Sequence, residues 1–173
     1  MPIDETIKFK PCNISILTIS DTRIEKNDES GDLLVSRLIK SGHKLYDRSI
    51  VLDQLELIIQ TLNKWIDDPN VNIIITTGGT GITSRDVTPE SVRRISEKII
   101  DGFGELFRYI SYKKIGTSTI QSRAIAGIKK RTYIFAVPGS PSACKDAWDE
   151  ILKFQLDNRH KPCNFIELIP RLD

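Results

Sequence analysis

The run Thr76-Thr77-Gly78-Gly79-Thr80-Gly81 closes an apolar, β-branched stretch, and Asp86 stands five positions beyond it. Glycines in a turn let successive backbone N–H groups converge on a phosphate, and they remove the Cβ atoms that would block its approach. The threonine hydroxyls add donors, and a helix beginning just downstream adds positive potential. A carboxylate a few residues past such a turn is a candidate ligand for the Mg²⁺ that accompanies a nucleotide. The plain alternative for Asp86 is a turn or capping residue, but Thr88 is expected to fill the N-cap role. The turn is neither a Walker A loop, since no Gly-Lys-Ser/Thr follows, nor a GxGxxG fingerprint. Taken alone, a GGxG turn after a strand is equally what a tight strand-to-helix connection needs.

Two further places carry similar chemistry. Asp53 follows a second apolar stretch at the start of a helical pattern, where it suits an N-cap as well as a metal. Ser140, after Pro138-Gly139 and before Pro141, offers another anion seat at a helix start. Ser20-Asp21 ends a third apolar run.

The surrounding pattern explains how these residues could meet. Residues 13–19, 44–52, 71–77 and 131–137 read as strands, the third apolar throughout and so expected to be covered on both faces. Residues 31–40, 53–65, 89–100, 103–112 and 140–156 show helical spacing. Residues 124–128 are expected to form a hairpin with 131–137 across Lys129-Lys130, and the C-terminal stretch to run extended. Alternating strands and helices give an α/β fold on a mostly parallel sheet, with helices on both faces. In such a sheet the loops after residues 19, 77 and 137 fall along one rim, where ligands bind.

A chain of 173 residues fits one domain, over 1–173, and is expected to bury roughly 70% of its unfolded surface. Residues 1–12 are expected to be a flexible N-terminus. The net charge of +2 and the lack of aromatic or glycine-rich signals beside Lys113-Lys114 and Lys129-Lys130-Arg131 argue against nucleic acid. No run approaches the roughly 18 apolar residues of a membrane span, and MPIDETIKFK lacks the apolar core of a secretion signal. Cys12, Cys144 and Cys163 are widely spaced and odd in number, which points to reduced thiols in the cytoplasm.

The segments TTGGTG and RDVTPE (76–90), GFGELFR (102–108), SRAIAG (122–127) and PGS (138–140) together resemble the MoaB/MogA/gephyrin G-domain family of molybdenum cofactor biosynthesis. The likeness runs from about Asn13 onward. IGTSTIQSRAIAG, PGSPSACKDAW and QLDNRHKPCNF are similar to its MoaB branch. The resemblance implies a three-layer α/β/α sandwich that assembles as a homo-oligomer, trimeric or hexameric. It implies adenylylation of molybdopterin, in which the terminal phosphate of the pterin attacks the α-phosphate of Mg-ATP. Asp86 and Asp53 match the acidic residues that support metal-dependent transfer. Thr77, Gly78, Gly79, Thr80 and Gly81 match the phosphate-contacting loop. Pro138, Gly139 and Ser140 match the segment that holds the pterin phosphate, and Ser20, Asp21, Glu105, Ser122 and Arg123 match positions lining the same cleft. Active members commonly have a proline before the second acid, where this chain has Leu52. A molybdopterin-binding carrier or scaffold among other cofactor-biosynthesis proteins is the alternative, and a phosphate-binding regulatory module is a more distant one.

Overall fold

Isoleucine and threonine dominate the central strands because both faces of those strands are covered. β1 (Asn13–Ile19), β3 (Ile73–Thr77) and β6 (Thr132–Val137) are buried almost end to end. The structure, a computed structural model, describes residues 3–172. Its sheet has six strands in the order β2-β1-β3-β6-β5-β4, with β2 (Lys44–Val51), β4 (Lys98–Ile99) and β5 (Ile125–Lys129) completing it. The β2, β1, β3 and β6 neighbours are parallel, while β6-β5 and β5-β4 are antiparallel.

Period-two alternation sends successive side chains to opposite layers. Ile14 and Ile16 of β1, Ile73 and Ile75 of β3, and Phe135 of β6 face one layer. There they meet α1 (Glu29–Lys40), α4 (Asp101–Ile115) and the helix that starts as α5 (Pro141–Ala147) and continues through a π-turn over Trp148–Leu152. Leu17, Ile74 and Ile134 point the other way, onto α2 (Leu55–Ile66) and α3 (Thr88–Ile95). The result is the three-layer α/β/α sandwich with a mostly parallel sheet. Each fully buried leucine or isoleucine in these layers contributes about 1.5–3 kcal/mol.

Several elements differ from the sequence expectation. The helix expected over 89–100 stops at Ile95. Glu97 donates its N–H to the Ile128 carbonyl at 2.8 Å and Ile100 donates to Ala126 at 2.8 Å, so the backbone joins the sheet as β4 instead. The hairpin forms as expected, and Lys130 makes its turn with a φ of 52°. The C-terminal stretch is not extended: Ile166–Arg171 is a 3₁₀ helix, with Phe165 before it packed on Tyr133 and Phe135. Of the N-terminus expected to be flexible, residues 3–12 lie against the segment that follows the last helix. Lys10 donates its N–H to the Asn158 side chain at 2.8 Å, Asn158 returns a bond to the Lys8 carbonyl at 3.0 Å, and Arg159 sits over the Phe9 ring.

Parallel register brings the three loops of interest together. Thr18 lies beside Thr77, and Thr77 beside Val137, so β1, β3 and β6 end level with one another. Chain direction across the sheet reverses between β1 and β3, the place where such sheets bind ligands.

Candidate functional site

The glycine turn after β3 is shaped by contacts that leave no space for side chains. Gly78 has a φ of +106° and donates its N–H to the Val137 carbonyl at 3.1 Å; a Cβ on it would lie 2.1 Å from the Ile19 carbonyl oxygen. Gly79 has a φ of +62°, and a Cβ there would meet Thr88 Oγ1 at 2.4 Å and Asp53 Oδ2 at 2.6 Å. Thr88 does not cap α3 as expected. Its hydroxyl donates to the Gly78 carbonyl at 2.9 Å and its N–H to the Gly79 carbonyl at 3.0 Å, because it lies directly under the turn. Arg123 braces the other side. Its backbone N–H donates to Thr80, its Nε to the Gly81 carbonyl at 2.6 Å and its Nη2 to the Asp86 carbonyl at 2.6 Å, and its third nitrogen pairs with Glu90.

The two predicted acids flank this turn. Asp86 accepts from the Thr83 N–H at 2.9 Å and from its hydroxyl at 2.6 Å. Burial pushes the Asp86 carboxyl up, but these bonds, the Gly81 amide and the Arg123 charge outweigh it and hold the pKa below the ordinary value. Asp53 is no N-cap: α2 begins at Leu55 after Gln54, and Asp53 instead accepts from the Val87 N–H at 3.2 Å. Burial raises its pKa, and the Asp86 and Asp21 charges raise it further against the pull of Val87 and Arg85. Asp21 bonds the Asp53 N–H at 3.2 Å and pairs with Arg85 at 2.6 Å. Among the described residues no group of three or more His, Cys, Asp or Glu gathers to hold a metal ion. Magnesium needs no such cage, since one or two carboxylates plus substrate phosphates are its usual ligands. Two mutually repelling carboxylates on one glycine turn, Asp53 against Gly79 and Asp86 against Gly81, fit an ion of that kind.

The loop after β6 closes against the turn. Gly139 approaches so near that a Cβ on it would lie 3.1 Å from the Gly78 Cα. Its carbonyl accepts from Arg23 Nη2 at 3.0 Å and from the Ser30 hydroxyl at 3.1 Å. Arg23 also donates to the Ser30 hydroxyl at 3.2 Å and neighbours Asp28 at 3.6 Å; Asp28 is the fully buried N-cap of α1, and Arg48 contacts it at 2.8 Å. Ser140 caps α5, accepting from the Ala143 N–H at 3.2 Å, and stays exposed. An open cavity of about 410 Å³ joins the two loops. Gly78, Gly79, Thr80, Gly81 and Asp86 line one side, Pro138, Gly139 and Ser140 another, and Ser122 the edge.

Other expected residues stand elsewhere. Thr77 is buried: its hydroxyl donates to the Pro138 carbonyl at 3.1 Å and meets Cys144 Sγ at 3.1 Å, so it ties the loops together rather than facing a ligand. Glu105 is exposed on α4 and does not line the cavity. Ser20 and Asp21 line a neighbouring depression, and Ser20 accepts from the Thr22 and Arg23 amides at 3.2 Å. Arg123 and Asp53 are not among the residues that line the cavity: Arg123 holds the Gly81 carbonyl, and Asp53 accepts the Val87 N–H beside Gly79. Sequence reading missed Phe107, Lys114 and Asp146, which complete the cavity wall, and the Asp28-Arg23-Ser30 brace. Asp28 carried a usable signal, an aspartate just before an apolar-periodic helix.

An α/β sandwich with a glycine turn and paired acids at its switch point is the class that fold and site define. A sequence model of the family described as "Probable molybdopterin binding domain" matches residues 15–158, and the chain belongs to that family. It is 44% identical over 158 residues to the molybdenum cofactor biosynthesis protein B of Escherichia coli K12, covering 91% of this chain and 93% of that one. Its counterpart from Staphylococcus epidermidis is 45% identical over 154 residues, covering 86% and 87%. A crystal structure of a molybdenum cofactor biosynthesis protein B superposes with a TM-score of 0.85 at 41% identity, covering 94% and 96%. The tungsten cofactor synthesizing protein MoaB of Pyrococcus furiosus gives 0.75 at 34%, covering 83% and 91%.

Proposed function

We propose that this protein acts in molybdenum cofactor biosynthesis and adenylylates molybdopterin with Mg-ATP. The single observation that carries the reading is the meeting of the glycine turn, with Asp86 beside it, and the Ser140 loop on one cavity. Two polyanions have to be aligned there, and no side chain has to form a covalent bond. A terminal phosphate oxygen of the pterin forms a bond to the α-phosphorus of ATP, the bond between that phosphorus and the bridging oxygen breaks, and pyrophosphate leaves. Alignment and charge neutralisation supply the rate enhancement. The backbone amides of Gly79 and Thr80 would hold phosphate without adding a group that titrates, since the Gly78 amide is given to Val137 and the Gly81 amide to Asp86. Asp86 and Asp53 would hold Mg²⁺, which when bound offsets phosphate charge.

The test supplies molybdopterin and Mg-ATP and measures pyrophosphate. Wild type is expected to release it, and Asp86→Asn to lower turnover about 100-fold while nucleotide affinity changes far less. Equal turnover in the variant removes Asp86 from the mechanism. A binder or scaffold without transfer is the second reading. It is favoured by the local bonds that already occupy Asp86 through Thr83. Tight molybdopterin binding with no pyrophosphate from wild type selects it.

A further inference from the structure

Besides its phosphate-cradling loops, the cavity has a charged end. Lys114, near the end of α4, pairs with Asp146 of α5, and both line the wall. Asp146 stands six residues past Ser140 on the same helix, a rise of ~9 Å along its axis. That separation is of the order of a fused pteridine ring with a short phosphate arm. Phe107, Ser111 and Ala143 line the cavity with them.

The two charges are unlike in setting. Asp146 is 8% exposed, whereas the Lys114 side chain is 53% exposed. A pair with one partner half in water is loosely held. A buried carboxylate cannot go without donors, so whatever replaces Lys114 has to supply N–H groups. The amino-pyrimidinone edge of a pterin presents two N–H donors side by side, from N3 and the 2-amino group. A carboxylate accepts such a pair on its two oxygens in one plane.

We propose that Asp146 is a specificity-determining residue that reads the amino-pyrimidinone edge of the pterin, with Lys114 as the counter-ion it exchanges for the ligand. The proposal rests on the cavity being the molybdopterin site. It assigns opposite ends of one ligand to opposite ends of one wall: phosphate near Ser140, ring edge at Asp146.

Fluorescence titration with 6-hydroxymethylpterin monophosphate and with the matching lumazine monophosphate tests it. Lumazine carries an oxygen in place of the 2-amino group and so turns an acceptor toward the carboxylate. Wild type is expected to prefer the pterin by at least about tenfold. Asp146→Asn presents one acceptor and one donor, so the preference is expected to vanish or invert while the shared phosphate keeps both ligands bound. Lys114→Gln is expected to keep the wild-type preference, with both variants melting near wild type. Equal binding of the two ligands by wild type, or a preference retained in Asp146→Asn, overturns the proposal. Loss of preference in Lys114→Gln to the same extent also overturns it, because the pair then only braces α4 on α5. Failure of either phosphate to bind wild type sinks the reading of the cavity itself, and this proposal with it.

Discussion

Gly79, like Gly78 beside it, is a position where backbone conformation and side-chain space both exclude any other residue. Its left-handed φ of +62° disfavours an L side chain, and the place a Cβ would occupy is already filled by Thr88 and Asp53. Gly102 is the natural control: it lies in α4 with nothing within 4 Å of its virtual Cβ. Gly79→Ala is therefore expected to lower unfolding free energy by about 2–3 kcal/mol, combining overpacking with backbone strain. Gly102→Ala is expected to raise it by about 0.5–1 kcal/mol, because alanine is the better helix former. Urea unfolding of the pair decides the matter, and a Gly79→Ala protein as stable as wild type would contradict the packing described for the turn. The presence of a glycine turn was legible in the sequence, since three glycines among four residues leave few other uses. Which hydroxyl lines the cavity was not. Thr77 and Thr80 look alike in sequence, yet only Thr80 lines the cavity, while Thr77 reaches sideways to Pro138.

At the scale of elements, the three central strands were readable because continuous apolar runs bounded by turn residues have few other fates. The register that makes their ends level follows from parallel pairing. β4 escaped notice because two residues carry no periodicity, and the Lys114–Asp146 pair because 32 positions separate its members. Arg123 lay within a recognisable segment, but its task appears only when β5 is placed beside the turn. From there one guanidinium holds two carbonyls and Glu90 at once. Lysine cannot reproduce that fork with a single ammonium. Arg123→Lys is therefore expected to speed amide hydrogen exchange in residues 79–87 by about ten- to a hundredfold, in line with the roughly 1.5–3 kcal/mol of a bond to a charged group. The amides of β1 and β3 should exchange as in wild type. Unchanged exchange in the turn would show that Gly78–Thr88 contacts alone hold it.

At the scale of the whole molecule, the N-terminal segment, the end of α1 and the C-terminal segment meet around one histidine. His43 accepts the Cys12 N–H on Nδ1 at 3.2 Å, between the rings of Phe9 and Trp148. Burial drives its pKa from 6.5 down to about 4, against a weaker upward pull from Asp157. The folded protein thus holds His43 neutral over a range in which the unfolded chain binds a proton. Stability is complete above pH 6.5 and falls as pH drops toward 4, by on the order of 3 kcal/mol. Carboxylates held below their ordinary value act in a lower window. Burial pushes Asp28 up, but Thr18, Arg48 and the Gly31 amide hold it below 3.8, so its contribution is lost only as pH falls beneath that value. The two windows can therefore be separated in one experiment. Urea unfolding at pH 7 and at pH 4.5 should differ strongly for wild type. His43→Gln retains an acceptor for Cys12 but no titrating group, so most of that difference should disappear while the loss below pH 4 remains. A His43→Gln protein that weakens between pH 7 and 4.5 as steeply as wild type would mean that the junction of the two chain ends is not what makes the fold acid-sensitive in that range.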